Sequence, residues 1–408
     1  MEIPEKDFFD FIELHKNDDP IALRLKEKKA SYNFNLDKAI LQIESRQKYK
    51  RKLSNFLSFP RFLFPDGISG EQASHQAIAS FHSALIGINK NLLDMTGGLG
   101  IDALTLARQG NTVTAIDIDK NKAQTLIANA NQMNIGSLKV LNQDSIDFLN
   151  NTSNHYDVIF IDPSRRASDL KKVYNLNDCL PNVIEHQDLI LHHTDKLLIK
   201  ASPMLDVSRT IQNFLDITCV RVIGVNGECK EILIEIDKEI SRIDLNGIRI
   251  EAIDLNNDGK ILSRFTDFFS RVKKNIKYIS SKEIKEGQYL LEPSAMIMKL
   301  APWDEICEKF DAFKLGKSSH LFITSREPTD FPGRVTRIQK ILTKQDRKSL
   351  NGFPASVVSR NYPASSDEIR KKYKLKEGAE NFIYATRVDE IPILILTTQN
   401  LYPADNTI

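Results

Sequence analysis

The sequence predicts an α/β protein: a parallel sheet covered by helices and closed by an antiparallel hairpin, with a helical region before it and two small α+β modules after it. Three observations lead there. Short β-type runs alternate with helical runs from Asn89 to Lys200, and that alternation implies a parallel sheet buried on both faces. Two β-rich runs, Thr218 to Val225 and Cys229 to Ile236, are joined by Asn226-Gly227. Asn-Gly between such runs is a strong hairpin signal, because a type I′ turn needs positive φ at both positions. After Asp237 the alternation stops. A chain of 408 residues is too long for one core, so several domains are expected.

The elements follow in order. Residues 1–88 read as helical. Phe8, Phe9, Phe11, Ile12 and Leu14 begin an apolar face, continued by Ile21, Leu23 and Leu25 and then by Ile40, Leu41 and Ile43. Pro60 and Pro65 interrupt the pattern before a further helix from Gln72 to Ile86. In residues 89–240 the expected strands end at Asp94, Asp117, Leu141, Asp162 and Lys200, with helices over Ile101 to Gln109 and Asn121 to Asn134 between them. Residues 241–328 mix strands with a helix expected from Ser263 to Lys274. Residues 329–408 form the last module. There Ser365-Ser-Asp-Glu368 reads as a capping box opening a helix from Asp367 to Lys374, followed by strands near Phe382 to Val388 and Ile391 to Thr398.

Composition narrows the function classes. No apolar run approaches the roughly 20 residues that span a bilayer, and the N-terminus Met-Glu-Ile-Pro-Glu-Lys-Asp has no apolar signal core. Cys179, Cys219, Cys229 and Cys307 make neither a metal spacing nor a disulfide framework. Cys179, placed in the helix before the fifth strand, and Cys229 read as ordinary buried thiols. The expectation is a protein of the reducing cytoplasm, without a membrane span. His192-His193 is not at ligand spacing, and His75 and His82 lie seven apart on a helix, where packing or solvent exposure is the simpler reading, so no metal is expected. The net charge of +2 means that any nucleic-acid surface must come from local clustering.

The segment Asp94-Met-Thr-Gly-Gly98-Leu-Gly100 ends a strand and opens a helix. Glycines there let backbone approach a ligand, and the helix start offers free N–H groups. By itself the loop also satisfies the dinucleotide pattern, as Gly98-Leu-Gly100-Ile-Asp-Ala103. The acids separate the two readings. Asp94 before the glycines suits a cationic amino group, Asp117 at the next strand end suits ribose hydroxyls, and Asp144 after the third strand suits an adenine amine. With Asp162 these put an acid at four successive strand ends, where an open α/β sheet binds its ligand. Single Asp residues at such places are usually caps; four in succession favour S-adenosyl-L-methionine held by Asp94, Thr96, Gly97, Gly98, Gly100, Asp117, Asp144 and Asp162. Thr96 stands where such loops often carry a first glycine. The sheet ending in a hairpin is then a class I methyltransferase, Rossmann-like sheet.

Asp162-Pro163-Ser164-Arg165 follows a buried strand and is the expected catalytic segment. Methyl transfer is an in-line displacement, so the protein chiefly has to align an acceptor lone pair. A carboxylate beside a backbone carbonyl can orient an amino group. The segment resembles the Asn/Asp-Pro-Pro-aromatic motif of enzymes that methylate exocyclic amines, with Ser164 and Arg165 replacing the second proline and the aromatic. Arg165 and Arg166 either pair with Asp169 at the surface or face a substrate phosphate, the reading preferred here. Asp-Pro-x-Arg also resembles 5-methyluridine enzymes, but Lys200-Ala-Ser-Pro-Met204 lacks the cysteine they need.

Taken together, Leu93-Asp-Met-Thr-Gly-Gly-Leu-Gly-Ile-Asp-Ala103, Ile161-Asp-Pro-Ser-Arg-Arg166, Lys200-Ala-Ser-Pro-Met-Leu-Asp206, Asn226-Gly-Glu-Cys-Lys-Glu231, Leu291-Glu-Pro-Ser-Ala295 and Ser359-Arg-Asn-Tyr-Pro363 resemble a bacterial family. Its members are class I methyltransferases with a helical N-terminal region, a ferredoxin-like insert and a C-terminal THUMP-like domain. The resemblance implies an RNA methyltransferase, since THUMP domains are RNA-binding modules, acting on a structured tRNA or rRNA. Residues 326–380 hold 13 lysines and arginines against 7 acids. Arg334, Arg337, Lys371 and Lys372 are the expected RNA contacts, with Tyr362 and Tyr373 interleaved. A second basic run, Arg46 to Lys52, reads equally well as a solvated helix face. Competing readings are a protein or small-molecule acceptor, a non-catalytic RNA-binding protein, and an NAD-dependent dehydrogenase, the last lacking any hydride-transfer constellation.

Overall fold

The computed structural model describes residues 6–27, 31–165, 176–207, 210–211, 216–240, 247–269 and 276–399. The chain divides into two compact units, residues 1–245 with 254–262, and residues 246–253 with 263–408.

The first unit opens with helices α1 (Lys6–Leu14), α2 (Pro20–Lys26), α3 (Leu36–Lys48), α4 (Ser54–Leu57), α5 (Ser69–Gln72) and α6 (Gln76–Ile86). Phe8, Phe9, Phe11 and Ile12 of α1 pack with Leu36, Ile40 and Ile43 of α3, as their periodicity requires. Leu14, Ile21 and Leu25 were expected on the same face but are exposed. α2 is a separate short helix capped by Asp19, so only Leu23 of its apolar residues turns inward. The helix expected from Gln72 starts at Gln76, because His75 caps it and a bend separates it from α5.

The sheet of this unit holds β1 (Asn91–Asp94), β2 (Thr112–Asp117), β3 (Leu138–Asn142), β4 (Tyr156–Ile161), β7 (Thr194–Ala201), β8 (Cys219–Val225) and β9 (Glu228–Asp237). A two-stranded ladder of β5 (Ser164–Arg165) and β6 (Cys179–Leu180) lies between β4 and β7 in sequence. The spatial order is β8-β9-β7-β4-β1-β2-β3. β3, β2, β1, β4 and β7 run parallel, while β9 is antiparallel to β7 and to β8. Helices α7 (Ile101–Arg108), α8 (Lys120–Gln132), α9 (Ser145–Asn150) and α10 (Gln187–His192) fill the crossovers. The β8–β9 turn has φ of 51° at Asn226 and 82° at Gly227, as a type I′ turn requires. Cys179 belongs to β6, not to a helix, and both it and Cys229 are half-buried. The N-terminal helices join this sheet through Asn129 of α8, whose buried amide exchanges two hydrogen bonds with the backbone of Leu63.

Strands β10 (Ile248–Leu255) and β11 (Ile261–Phe269) carry the chain from one unit to the other. The helix expected from Ser263 is therefore strand up to Phe269, and residues 270–274 lie outside the described residues. Arg264 and Thr266, alternate residues of one strand face, both bond the buried carboxylate of Glu251. That pairing selects the two-residue period over the helical spacing of Phe265, Phe268 and Phe269.

In the second unit a seven-stranded sheet runs β13-β14-β12-β15-β18-β17-β16. Its strands are β12 (Tyr289–Pro293), β13 (Phe313–Lys314), β14 (Phe322–Thr324), β15 (Gly333–Ile341), β16 (Ser356–Ser359), β17 (Asn381–Val388) and β18 (Ile391–Gln399). Both C-terminal modules expected from the sequence contribute strands to this one sheet. Leu290, Ile338 and Tyr384 face one core, and Leu342, Ile383 and Leu394 the other. The capping box at Ser365 and Glu368 forms as expected and opens the helix Ser366–Tyr373.

Candidate active site

The C-terminal ends of β1, β2, β3 and β4 converge on a crevice of about 1360 Å³. Ligand pockets typically run roughly 300–1,000 Å³, so this one exceeds what a single small ligand fills. Asp94, Thr96, Gly97, Gly98, Gly100, Asp117, Asp144, Asp162, Pro163 and Ser164 all line it. The structure thus gathers these expected residues into one place. Arg165 joins the β5–β6 ladder through its backbone opposite Cys179, and Arg166 lies outside the described residues.

The glycine loop is held at every turn. The N–H of Met95 donates to Phe160 O at 3.0 Å and that of Gly97 to Ile116 O at 2.7 Å. Gly98 N–H donates to Asp117 Oδ2 at 2.7 Å. Gly100 precedes α7 with φ of 85°, and a Cβ there would lie 2.1 Å from Leu126 Cδ1. The glycine is required both by its backbone conformation and by its packing on α8. Gly98, also at positive φ, would meet only Thr96 O at 3.7 Å, so its open side faces the crevice.

The acids differ in what holds them. Asp144 caps α9, with Oδ1 accepting from the N–H groups of Ile146 and Asp147 at 2.7 and 3.0 Å. It is a cap and a crevice residue at once. Asp117 accepts from Gly98 and, through Oδ1, from Asp119 N–H at 2.8 Å. Asp94 is buried and accepts a single backbone hydrogen bond, from Thr96 N–H at 3.0 Å. Burial pushes its carboxyl up to about 7, and the neighbouring Asp102, Asp162 and Asp117 add to the shift. A buried acid with so little compensation, opening on a glycine cradle, fits a ligand that brings its own cationic amino group.

Asp162 is tied to the loop by its own N–H, which donates to Thr96 Oγ1 at 2.7 Å. Its Oδ2 accepts from Lys200 Nζ at 2.5 Å. Lys200 also donates to Ser74 Oγ at 3.0 Å, and Ser74 Oγ donates to Asp102 Oδ2. Asp102 Oδ1 lies 2.8 Å from His82 Nδ1, and His82 Nε2 lies 2.7 Å from Glu231 Oε1. His82 is fully buried, and its two carboxylate partners hold its pKa up at about 10 against the opposing effect of burial. The imidazolium therefore donates to both. The result is a chain of groups from β9 through α6, α7 and β7 to the end of β4. None of Ser74, His82, Asp102, Lys200 or Glu231 was picked out from the sequence as a site residue. His82 does pack, but as the centre of a charged triad. The one available signal was a lysine at the end of β7, level with Asp162 across a parallel pair.

In the second unit Arg334 donates to Glu292 Oε2 at 3.0 Å and stacks over the Phe382 ring at 4.6 Å. Arg360 and the Tyr384 hydroxyl reach the same carboxylate at 3.1 Å each. Arg337 is exposed on the opposite face of β15, and Lys371 and Lys372 are exposed on their helix. The four expected RNA contacts therefore do not share one surface. Among the described residues no cluster suits a metal ion, and no helix is long and apolar enough to cross a membrane.

Comparison with known proteins fits this geometry. Residues 77–209 match the family described as Conserved hypothetical protein 95, residues 289–332 a ferredoxin-like domain, and residues 333–399 a THUMP domain-like module. A solved Porphyromonas gingivalis structure, described as a methyltransferase candidate, is 25% identical, with a TM-score of 0.81 over 98% of this chain and 100% of that one. An uncharacterised RNA methyltransferase of Mycoplasma mobile is 27% identical over 85 residues, 21% of this chain and 23% of that protein. The ribosomal RNA small subunit methyltransferase D of Escherichia coli is 31% identical over 81 residues, 20% of this chain and 40% of that protein. The chain thus spans less than half the length of these curated relatives. Sheet order and the full-length structural likeness give residues 89–240 the fold of class I methyltransferases, and the domain matches put a ferredoxin-like and a THUMP-like domain after that sheet.

Proposed function

We propose that this protein transfers a methyl group from S-adenosyl-L-methionine to a base of a structured RNA, tRNA or rRNA, with an exocyclic amine as the acceptor. The observation that carries the reading is the union of Asp162-Pro163 with the glycine loop in one crevice, through the hydrogen bond from Asp162 to Thr96. The relatives named for RNA and ribosomal RNA methylation support the substrate class. The cytoplasm is the compartment that goes with such a substrate.

The donor supplies an electrophilic methyl group when bound. Asp94 would hold its cationic amino end, and Asp117 and Asp144 would accept from its hydroxyl and amino groups, with Gly97 and Gly98 lining the same crevice. Lys200 holds Asp162 Oδ2, which leaves Oδ1 to accept an N–H from the acceptor amine. The Asp162-Pro163 backbone fixes where that carboxylate stands. Catalysis of this kind rests on alignment, so a carboxylate held by a lysine and a threonine is well suited to it.

Incubation of the protein with labelled donor and either total RNA or lysate protein tests the substrate class. Label in protein and none in RNA overturns it. Nucleoside mass spectra of RNA from a knockout and its parent test the atom: a methyl group on carbon or ribose oxygen eliminates the amine.

A further inference from the structure

Beside the crevice lies a second cavity of about 490 Å³, and the two share Glu71, Gln72, Ala73, Ser74, Lys200 and Lys230 in their walls. Its remaining lining includes Arg51, Lys52 and His75 from the helical N-terminal region. The acids at this cavity are already engaged. Glu71 pairs with Lys48 at 3.0 Å, Glu228 with Lys230 at 2.7 Å, and Glu231 with His82. Lys52, half-buried, feels Glu71 and Asp162 as its acidic neighbours. Its Nζ donates to the carbonyls of Gly70 and Glu71 at 3.0 and 2.7 Å. An ammonium has three donors, so one remains for the cavity. Burial, with Lys200 and Lys230 close by, pushes Lys52 down to about 8. Lys200 is paired with Asp162 and Lys230 with Glu228, while Glu71 and Asp162 act on Lys52 only from a distance, which leaves Lys52 as the ammonium of the three with no carboxylate in direct contact among the described residues. His75 Nδ1 accepts from Ala77 N–H at 3.1 Å, which leaves the ring proton on Nε2 as a further donor. Burial and the lysines hold His75 down at about 4, so it stays neutral.

We propose that this cavity receives a phosphodiester group of the RNA strand flanking the target nucleotide, with Lys52 and Arg51 supplying the charge and His75 a neutral donor. The inference rests on RNA being the substrate. The shared wall of Ser74, Lys200 and Lys230 puts this phosphate beside the crevice that takes the base. It also gives the helical N-terminal region a part in substrate binding. The Arg46 to Lys52 run, indifferent as a sequence signal, then divides: Arg46 donates to the carbonyls of Pro60 and Phe62 and holds the fold, while Arg51 and Lys52 face the cavity.

The test uses the full-length protein with Lys52→Gln and Arg51→Gln, the second at an exposed position where folding is not at stake. Line broadening of inorganic phosphate in phosphorus NMR reports on the cavity itself. It should be clear in the parent, lost in Lys52→Gln and weakened in Arg51→Gln, with donor affinity by calorimetry unchanged in both. RNA affinity should fall, and its dependence on the logarithm of salt should lose about 0.7 in slope for each phosphate contact removed. Undiminished phosphate broadening and an unchanged salt slope in both variants overturn the proposal. Label transfer to RNA with an unaltered KM in both variants overturns the cavity assignment alone. Failure of the parent to methylate or bind RNA overturns the reading it rests on, while phosphate broadening that Lys52→Gln abolishes still marks an anion site.

Discussion

The N–H of Asp162 donates to the hydroxyl of Thr96 at 2.7 Å, so the Asp162-Pro163 segment and the glycine loop are fastened together by one side chain. Thr96 stands where loops of this kind often carry glycine, and the hydrogen bond gives that departure a use. Thr96→Val keeps the shape and removes the acceptor, leaving the Asp162 N–H unpaired. Displacement of a reacting group by about 1 Å can cost roughly 10²-fold in rate, so single-turnover methyl transfer should slow by ten- to a hundredfold. Thr96→Ser should retain most of the rate. Equal single-turnover rates for Thr96→Val and the parent would show that the tie has no part in alignment.

Asp94, as the proposed partner of the donor's amino end, predicts pH-dependent donor binding. Its carboxyl ionises at about 7 rather than in the ordinary carboxylate range. Between that range and about 7 the unfolded chain has lost a proton that the folded chain keeps, so Asp94 lowers stability as pH rises through this window. Ionised Asp94 is the form that attracts a cationic amino group. Donor affinity should therefore rise as pH increases from 6 to 8. Asp94→Asn should abolish that rise and weaken donor binding, while the ligand-free variant melts at a higher temperature than the parent above pH 7. A pH-independent donor affinity in the parent would refute the assignment of Asp94 to the amino end.

His82 makes stability pH-dependent in a different window. Its folded pKa of about 10 lies above the unfolded value of 6.5. The stability it contributes is full below pH 6.5 and is lost as pH rises through 10. Urea unfolding should show the parent losing stability across that range. His82→Leu strands Asp102 and Glu231 as buried carboxylates, and breaking a buried pair in this way costs roughly 3–5 kcal/mol. The variant should lack the alkaline decline attributed to the imidazolium. A His82→Leu protein as stable as the parent at pH 7 would contradict the triad.

The basic residues of the second unit should separate into two groups. Arg334 is occupied by Glu292 and Phe382. Arg334→Gln should act on stability, by up to about 1 kcal/mol for a half-exposed pair, and leave the salt dependence of RNA binding alone. Arg337→Gln and the double variant Lys371→Gln/Lys372→Gln should leave stability within about 0.5 kcal/mol, as surface substitutions usually do, and lower RNA affinity at low salt. Filter binding at several salt concentrations with urea unfolding reads both. The reverse pattern would move the RNA surface to the Glu292 side of the sheet.

Much of the crevice lining was legible in the sequence. Asp94, Gly98, Gly100 and Asp117 sit within 24 residues of one another, and strand ends, turns and helix starts are written in short stretches. Beyond β4 the lining was legible only at Asp162, Pro163 and Ser164. Lys200 lies 38 residues from Asp162 and Ser74 lies 126 from Lys200, so neither pairing leaves a local pattern. The misread strand at Ile261–Phe269 has the same cause, since Glu251 across the turn selected its period.

The sequence by itself determined the alternation of strand and helix, the glycine loop, the acids at the strand ends and the type I′ turn at Asn226-Gly227. Backbone periodicity, positive φ and capping are set by neighbours a few residues apart. Only the tertiary structure decided that His82 and Glu231, 149 residues apart, share a hydrogen bond, that the chain of charges reaches Asp162, and that Lys52 faces a cavity whose acids are each paired with another cation. Buried charges are stabilised by whichever opposite charge or hydrogen-bonding group the fold brings within a few ångströms, and separation along the chain does not encode that distance.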